Sequence, residues 1–307
     1  MHTVSVLNFK GGVGKTTFTA CLAQALALTG HRVLAIDNDH QHNLSLMLGH
    51  KPAKPSIRDV YLSTVGIGGR NLLEAVRETQ IENLSVVTAP TDLCNEDVKD
   101  PQQLKKCMQY SRFADRYDYV LIDNGPGLDR IQQAALHASD IVFVPTELSH
   151  FAISGVYEMH TALHQRYRED CQITKIVPIF YRDTRQQNAY LAALEKLMPG
   201  KVTKTFIPYD SVFEGLVEQG KVLFLHRLAS PAARSYLQAL HELFGIDQSR
   251  IAIAVAEKRS ERLKEEALQN LEKARVTMRN RRIGDVAGPI PAITIGAVPS
   301  ADASSGQ

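Results

Sequence analysis

Residues 8–18 read NFKGGVGKTTF, and this run decides the fold. It follows TVSVLN (3–8), a β-branched and apolar stretch that reads as a buried strand. It leads into TTFTACLAQALALTG, whose apolar spacing predicts a helix ending at Gly30. A glycine turn between a buried strand and a helix is the context of a phosphate-binding loop. Gly11, Gly12, Val13 and Gly14 would turn backbone N–H groups inward around phosphate oxygens, and the helix adds the positive end of its dipole. Lys15 stands where it reaches β- and γ-phosphates, Thr16 where its hydroxyl meets Mg²⁺, and Thr17 continues the Thr-Thr pair. The run lacks the leading glycine of GxxxxGK(S/T) and carries a second lysine, Lys10, for which the loop alone has no task.

Working outward, HRVLAID after Gly30 is a short buried strand, so the chain opens with a βαβ unit. Further strands are expected at 84–89, 117–123, 140–145, 173–181 and 201–208, with helical patterns between most of them. That rhythm predicts a doubly wound, mostly parallel α/β sheet with helices on both faces, the P-loop NTPase architecture. STVGIGGR (63–70) reads as a glycine-rich surface loop. SPAARSYLQALHELFGI (230–246) reads as the last helix of the domain, capped by Ser230 with Pro231 at its first position. From Arg250 to Arg282, ten Lys or Arg stand against five Glu, an excess of five positive charges on a helix-forming stretch. The remainder is rich in Gly, Pro, Ala and Ser. The expected organisation is an ATPase domain over 1–246, a basic helical extension over 247–283 and a disordered tail over 284–307.

Composition bounds the alternatives. The 307 residues are 44% hydrophobic and 22% charged, with a net charge of +2 and a pI near 8.3, so any nucleic-acid surface must be local. Cys21, Cys94, Cys107 and Cys171 form no CxxC pair, which fits reduced thiols in the cytoplasm. No apolar run approaches the ~18 residues of a membrane span, and no membrane association is expected.

Carboxylates supply the second half of a nucleotide site. YDYVLID ends on Asp123, in the place of a Walker B aspartate, and NGPG follows as a turn. AIDNDHQHN puts Asp37 at a strand end and Asp39 two residues beyond, after a strand expected to pair with the P-loop strand. His40 and His42 invite a metal reading, but with no third ligand in view they read as surface residues.

KGGVGKTT resembles the deviant Walker A motif of the ParA/MinD ATPases, and the resemblance extends over roughly residues 3–246. DNDHQHN is similar to that family's DxDPQxN segment, VLIDNGPG to its IIIDxPP segment, FYRDTR to a strand-end segment carrying an arginine, and IPYDSVFEGLVEQGKVL to the stretch beside adenine. The resemblance implies that Lys10 crosses a homodimer interface to the phosphates of the partner's ATP. It implies that Lys15 and Asp39 act with it in catalysis, Asp39 orienting the attacking water. It further implies that Asp37 and Asp123 hold the water shell of Mg²⁺ with Thr16, and that Pro208 and Asp210 lie near adenine. Implied partners are nucleoid DNA bound without sequence preference and a ParB-like or other cargo adaptor.

The chain also departs from the family pattern. His40 replaces a proline, and Asn124-Gly125-Pro126 replaces a double proline, which should loosen that turn. Arg185 is kept, whereas Tyr209 and Val212 stand where partition ATPases carry arginines, so the DNA-contacting cations are expected at Arg185 and at Arg279, Arg281 and Arg282. The alternative, a MinD-like membrane-cycling ATPase, calls for an amphipathic helix at the chain end, where Pro, Ser and Ala stand instead.

Overall fold

The computed structural model describes residues 1–63, 72–164, 172–211, 227 and 229–286. It divides into two units, Met1–Ala256 and Glu257–Gln307. The first begins with β1 (His2–Val6), α1 (Lys15–Leu28), β2 (Val33–Asn38), α2 (Asn43–Met47), α3 (Ile57–Leu62) and α4 (Leu72–Ala75). There follow β3 (Val76–Glu78), β4 (Leu84–Val87), α5 (Gln103–Tyr110), β5 (Tyr119–Asn124), α6 (Arg130–Ala138), β6 (Ile141–Glu147) and α7 (His150–Ala162). After these come β7 (Lys175–Tyr181), α8 (Arg185–Leu197), β8 (Ile207–Pro208), α9 (Pro231–Phe244) and α10 (Gln248–Val286).

The strands form one eight-stranded sheet in the order β3-β4-β2-β5-β1-β6-β7-β8. Every neighbouring pair is parallel except β3 with β4. β2 and β5 are buried along their whole length, as parallel strands covered on both faces must be. Alternation along a strand sends their side chains into two cores. Val33 and Ala35 pack with Val4, Val6, α1 and α9, while Leu34 and Ile36 pack with Val120, Ile122, α3, α5 and α6. A third cluster gathers Val142, Val144 and Ile176 with α7 and α8. The doubly wound parallel sheet predicted from the sequence is therefore the observed fold.

Three local expectations need correction. β2 does not pair with β1, because β5 lies between them, with Val6 and Asp37 both opposite Asp123. A crossover helix about 10 Å wide spans roughly two strand spacings of ~4.8 Å, so the β1–α1–β2 unit leaves a gap that a later apolar strand fills. The 201–208 run forms only a bridge between Ile176 and Val202 and the two residues of β8. Its amides turn elsewhere: Lys204 N and Thr205 N donate to the Glu242 carboxylate of α9 at 2.7 and 2.8 Å, outside any ladder. The short antiparallel edge strand β3 had no counterpart in the sequence reading.

Helix ends follow local chemistry. Ser230 Oγ accepts from Ala233 N at 3.1 Å, Pro231 opens α9, and Gly245 stops it at φ 68°. Beyond it, Ile251 is buried in the main core and Arg250 Nε donates to Thr29 O at 3.0 Å, so the first unit runs past the boundary expected at 246. Residues 284–286, expected with the tail, end α10. The expected tail beyond them, the 63–70 loop apart from Ser63, and Cys171 lie outside the described residues. Cys21, Cys94 and Cys107 are free thiols. Among the described residues no helix is long and apolar enough to cross a membrane.

Candidate active site

Because β1, β5 and β2 are parallel neighbours, the loops at their carboxyl ends lie side by side. The loop after β1 turns through Gly12 at φ 74° and Gly14 at φ 77°, left-handed values that favour glycine. A Cβ at Gly14 would also come within 2.8 Å of the Phe180 ring, whereas open space surrounds Gly11 and Gly12. Lys15, the first residue of α1, is 7% exposed, and its Nζ donates to the Lys10 carbonyl at 3.1 Å. Burial lowers the Lys15 pKa, while Asp123 and Asp39 push it back up. Lys10 itself is exposed. Its amide donates to Asn8 Oδ1 at 3.0 Å, and Asn8 Nδ2 donates to Pro145 O at 3.0 Å, which anchors the loop entrance to β6.

The two strand-end aspartates differ in what their oxygens meet. Asp37 Oδ2 accepts from Ser45 N at 2.8 Å and Ser45 Oγ at 2.6 Å, and its Oδ1 accepts from Asp39 N at 3.3 Å. Asp123 Oδ1 accepts from Thr19 Oγ1 at 3.1 Å, but the buried Oδ2 has no hydrogen-bond partner within bonding distance. Burial raises the pKa of both, and the like charge of Asp37 adds to the rise at Asp123, where the Thr16 and Thr19 hydroxyls act in the opposite direction. Asp39 is only 12% exposed in its side chain and accepts from Gln41 N at 3.0 Å.

A polar layer that the sequence reading missed ties these loops together. Asn38 Nδ2 donates to Asn124 Oδ1 at 2.8 Å, Tyr61 OH donates to Asn38 Oδ1 at 2.7 Å, and Asn124 Nδ2 donates to Val6 O at 3.1 Å, all buried. Asn124, the strand residue from which the turn departs, is thus tied to β2 and β1 on either side. Gly125 packs on Asp39: a Cβ there would lie 3.2 Å from its carboxylate carbon. The available signal was the repeated Asp-Asn pair, since Asp37-Asn38 and Asp123-Asn124 stand in register.

Other expected site residues are spread more widely. Pro208 and Asp210 stand at and just beyond β8, with β6 and β7 between that strand and β1, and Asp210 Oδ2 accepts from Ala232 N at 3.3 Å. Most of the segment that follows them, 212–226, lies outside the described residues. Arg185 is exposed at the first position of α8, and the neighbouring Arg182 lies 4.3 Å over the Tyr209 ring. Arg279, Arg281 and Arg282 fall within α10 in the second unit. His40 is exposed, and among the described residues no three His, Cys, Asp or Glu side chains gather to hold a metal ion.

The residues present fit a nucleoside triphosphate and Mg²⁺. A glycine loop with open space around Gly11 and Gly12, a buried ammonium facing one carbonyl, and an unpartnered carboxylate oxygen near a helix-start threonine leave unmet charges that such a ligand would complement. Mg²⁺ is ordinarily held by one or two protein oxygens together with substrate phosphates, which is the chemistry Thr16 and Asp123 offer.

Known proteins point the same way. A family model described as an AAA domain matches residues 1–175. The chromosome partitioning protein ParA of Caulobacter vibrioides (strain NA1000 / CB15N) is 29% identical over 267 residues, covering 83% of this chain and 98% of that protein. A ParA family protein of Chlamydia trachomatis serovar D is 30% identical over 256 residues, 79% of this chain and 97% of its own length. Among solved structures, the septum site-determining protein MinD complexed with Mg-ADP from Pyrococcus horikoshii OT3 matches with a TM-score of 0.67 at 25% identity, covering 81% of this chain and 98% of that one. With its two-lysine phosphate loop set beside two strand-end aspartates, the chain belongs to the ParA/MinD family of P-loop ATPases.

Proposed function

We propose that this protein is a ParA-type positioning ATPase. Two copies close around two ATP molecules, the closed pair binds nucleoid DNA without sequence preference, and a ParB-like or other adaptor stimulates hydrolysis and so distributes a cargo. The observation that carries this reading is Lys10: it is exposed at the mouth of the loop while its own carbonyl occupies the buried Lys15. With Lys15 serving the phosphates of its own subunit, an outward lysine suits the phosphates held by the other. A charge-assisted hydrogen bond of that kind contributes about 1.5–3 kcal/mol, and symmetry supplies two.

Within one subunit, the loop amides and Lys15 bind the β- and γ-phosphates. Bound Mg²⁺ would spread the charge that develops on them. Thr16 and Asp123 hold the ion's position. Asp37, whose oxygens are engaged by Ser45 and the Asp39 amide, keeps the Asp39 loop in place and adds negative charge. Asp39 orients the attacking water. Pro208 and Asp210 lie beside adenine. Arg185, Arg279, Arg281 and Arg282 supply cations along a phosphate track.

The test is an anisotropy titration of labelled duplex DNA with ADP and with ATP at two salt concentrations. ATP is expected to tighten binding about tenfold or more over ADP, and Lys10→Ala is expected to lose that increment while still binding nucleotide. Equal affinity in ADP and ATP for the native protein would reject the proposal.

A further inference from the structure

The phosphate loop is anchored at its entrance through Asn8, and its exit at Gly14 is braced from a strand two places away in the sheet. Side chains along β7 alternate between two cores up to a point: Ile176 faces the cluster with α7 and α8, while Val177 and Ile179 face the cluster with α1. Alternation would send Phe180 to the α7 side. It packs instead on the α1 side with Ile179, and Tyr181 takes the α7 side. The pairing with β8 shows why. Ile179 stands opposite Ile207 and Tyr181 opposite Pro208, so Phe180 is the extra residue of a bulge, a feature uncommon between parallel strands. Its backbone turns through φ 54°, a left-handed value at which the Cβ of a bulky residue crowds the next carbonyl.

An aromatic residue is a poor choice for that conformation, which glycine adopts without crowding. What the bulge achieves is the direction of the ring. A Cβ at Gly14 would lie 2.8 Å from Phe180 Cζ and 2.9 Å from Ile179 Cδ1, so these two side chains close against the glycine at which the loop ends and α1 begins. Earlier in the loop there is no such support: among the described residues, a Cβ at Gly11 or Gly12 would meet nothing within 4 Å. We propose that Phe180 is a positioning residue for the nucleotide: its ring, re-aimed by the bulge, holds Gly14 and with it the phosphate-facing amides in their binding arrangement before ATP arrives. A loop already so arranged needs little ordering when the phosphates bind, which strengthens binding without any new contact. The left-handed backbone at 180 is strain of the kind that persists where a site is preorganised.

Titration calorimetry of the full chain with Mg-ADP and steady-state ATP hydrolysis test this proposal, which rests on residues 8–18 being the nucleotide loop. Phe180→Ala, which leaves a gap beside Gly14, is expected to weaken Mg-ADP binding about tenfold and raise KM for ATP to match. Its kcat should stay within about twofold, because order lost before binding is felt equally by ground state and transition state. Phe180→Leu, which fills most of the gap, is expected to bind within about threefold of the native protein. Phe180→Tyr sets a hydroxyl on Cζ, the carbon that faces Gly14, and is expected to weaken binding at least about fivefold by displacing the loop. It keeps the ring, so it decides the matter if the alanine chain fails to fold; thermal melts by circular dichroism check each variant. A side chain that only filled the core would lower the melting temperature of Phe180→Ala and leave Kd and KM unmoved. That result, or native affinity in Phe180→Tyr, would overturn the proposal. A native chain that binds no Mg-ADP would reject the loop reading itself, and the role of Phe180 with it.

Discussion

Asp123 is fully buried, yet one of its oxygens meets no donor. A buried carboxylate short of partners costs stability, and here a like charge from Asp37 adds to the cost. Such a cost is what an oxygen kept free for the Mg²⁺ of the proposed function would carry. Asp123→Asn keeps the volume and removes the charge. The expected outcome is a nucleotide-free protein that melts a few degrees higher and no longer turns over ATP, measured by calorimetry and phosphate release. An unchanged or lower melting temperature would count against the argument. KGGVGKTT and Asp123 were legible in the sequence because their chemistry is local: glycines, a lysine and a strand-end acid in a fixed order. Tyr61, Asn38 and Asn124 were not, since their meaning depends on partners 23, 86 and 118 positions away along the chain.

At the level of elements, what holds the two aspartate-bearing strands in register is found at their opposite ends. Arg32, just before β2, donates from its amide to Asp118 Oδ2 at 2.8 Å and from its guanidinium to Asp118 Oδ1 at 2.9 Å, while Asp118 N returns a bond to Arg32 O at 2.8 Å. The Arg32 guanidinium is the main reason that the Asp118 carboxyl titrates at about 2 rather than near 4. Its stabilising contribution is therefore present above about pH 4 and is lost as pH falls towards 2. Arg32→Ala should lower the unfolding midpoint at neutral pH, with the difference from the native protein narrowing as pH falls through about 2 to the part carried by the Arg32 bond to Asp115 O, which does not titrate; solvent screening keeps the effect modest. A gap that persists unchanged at pH 2 would contradict this. The same scale explains the misread 201–208 run: its β-branched composition favours a strand, but the Glu242 carboxylate captures two of its amides. No pattern of apolar residues encodes that competition.

For the molecule as a whole, the division at Ala256 separates the nucleotide site from most of α10. Truncation after Ile246 would remove the buried Ile251 and the Arg250–Thr29 bond, so Ala256 is the informative end point. A chain ending there is expected to fold and hydrolyse ATP, but to bind DNA at least about tenfold more weakly with a shallower dependence on salt, each lost phosphate contact flattening the slope by about one. Unaltered slope and affinity would assign the DNA contacts to the first unit, with Arg185 the first residue to change. The sheet order has a further consequence during synthesis. β1 and β2 leave the ribosome early with a vacant berth between them, and only the arrival of Tyr119–Asn124 seals it. Until then the emerging polypeptide carries two apolar strands whose facing edges are unpaired, so about two fifths of the chain must be translated before the strand bearing the phosphate loop and the strand bearing Asp37 share a sheet.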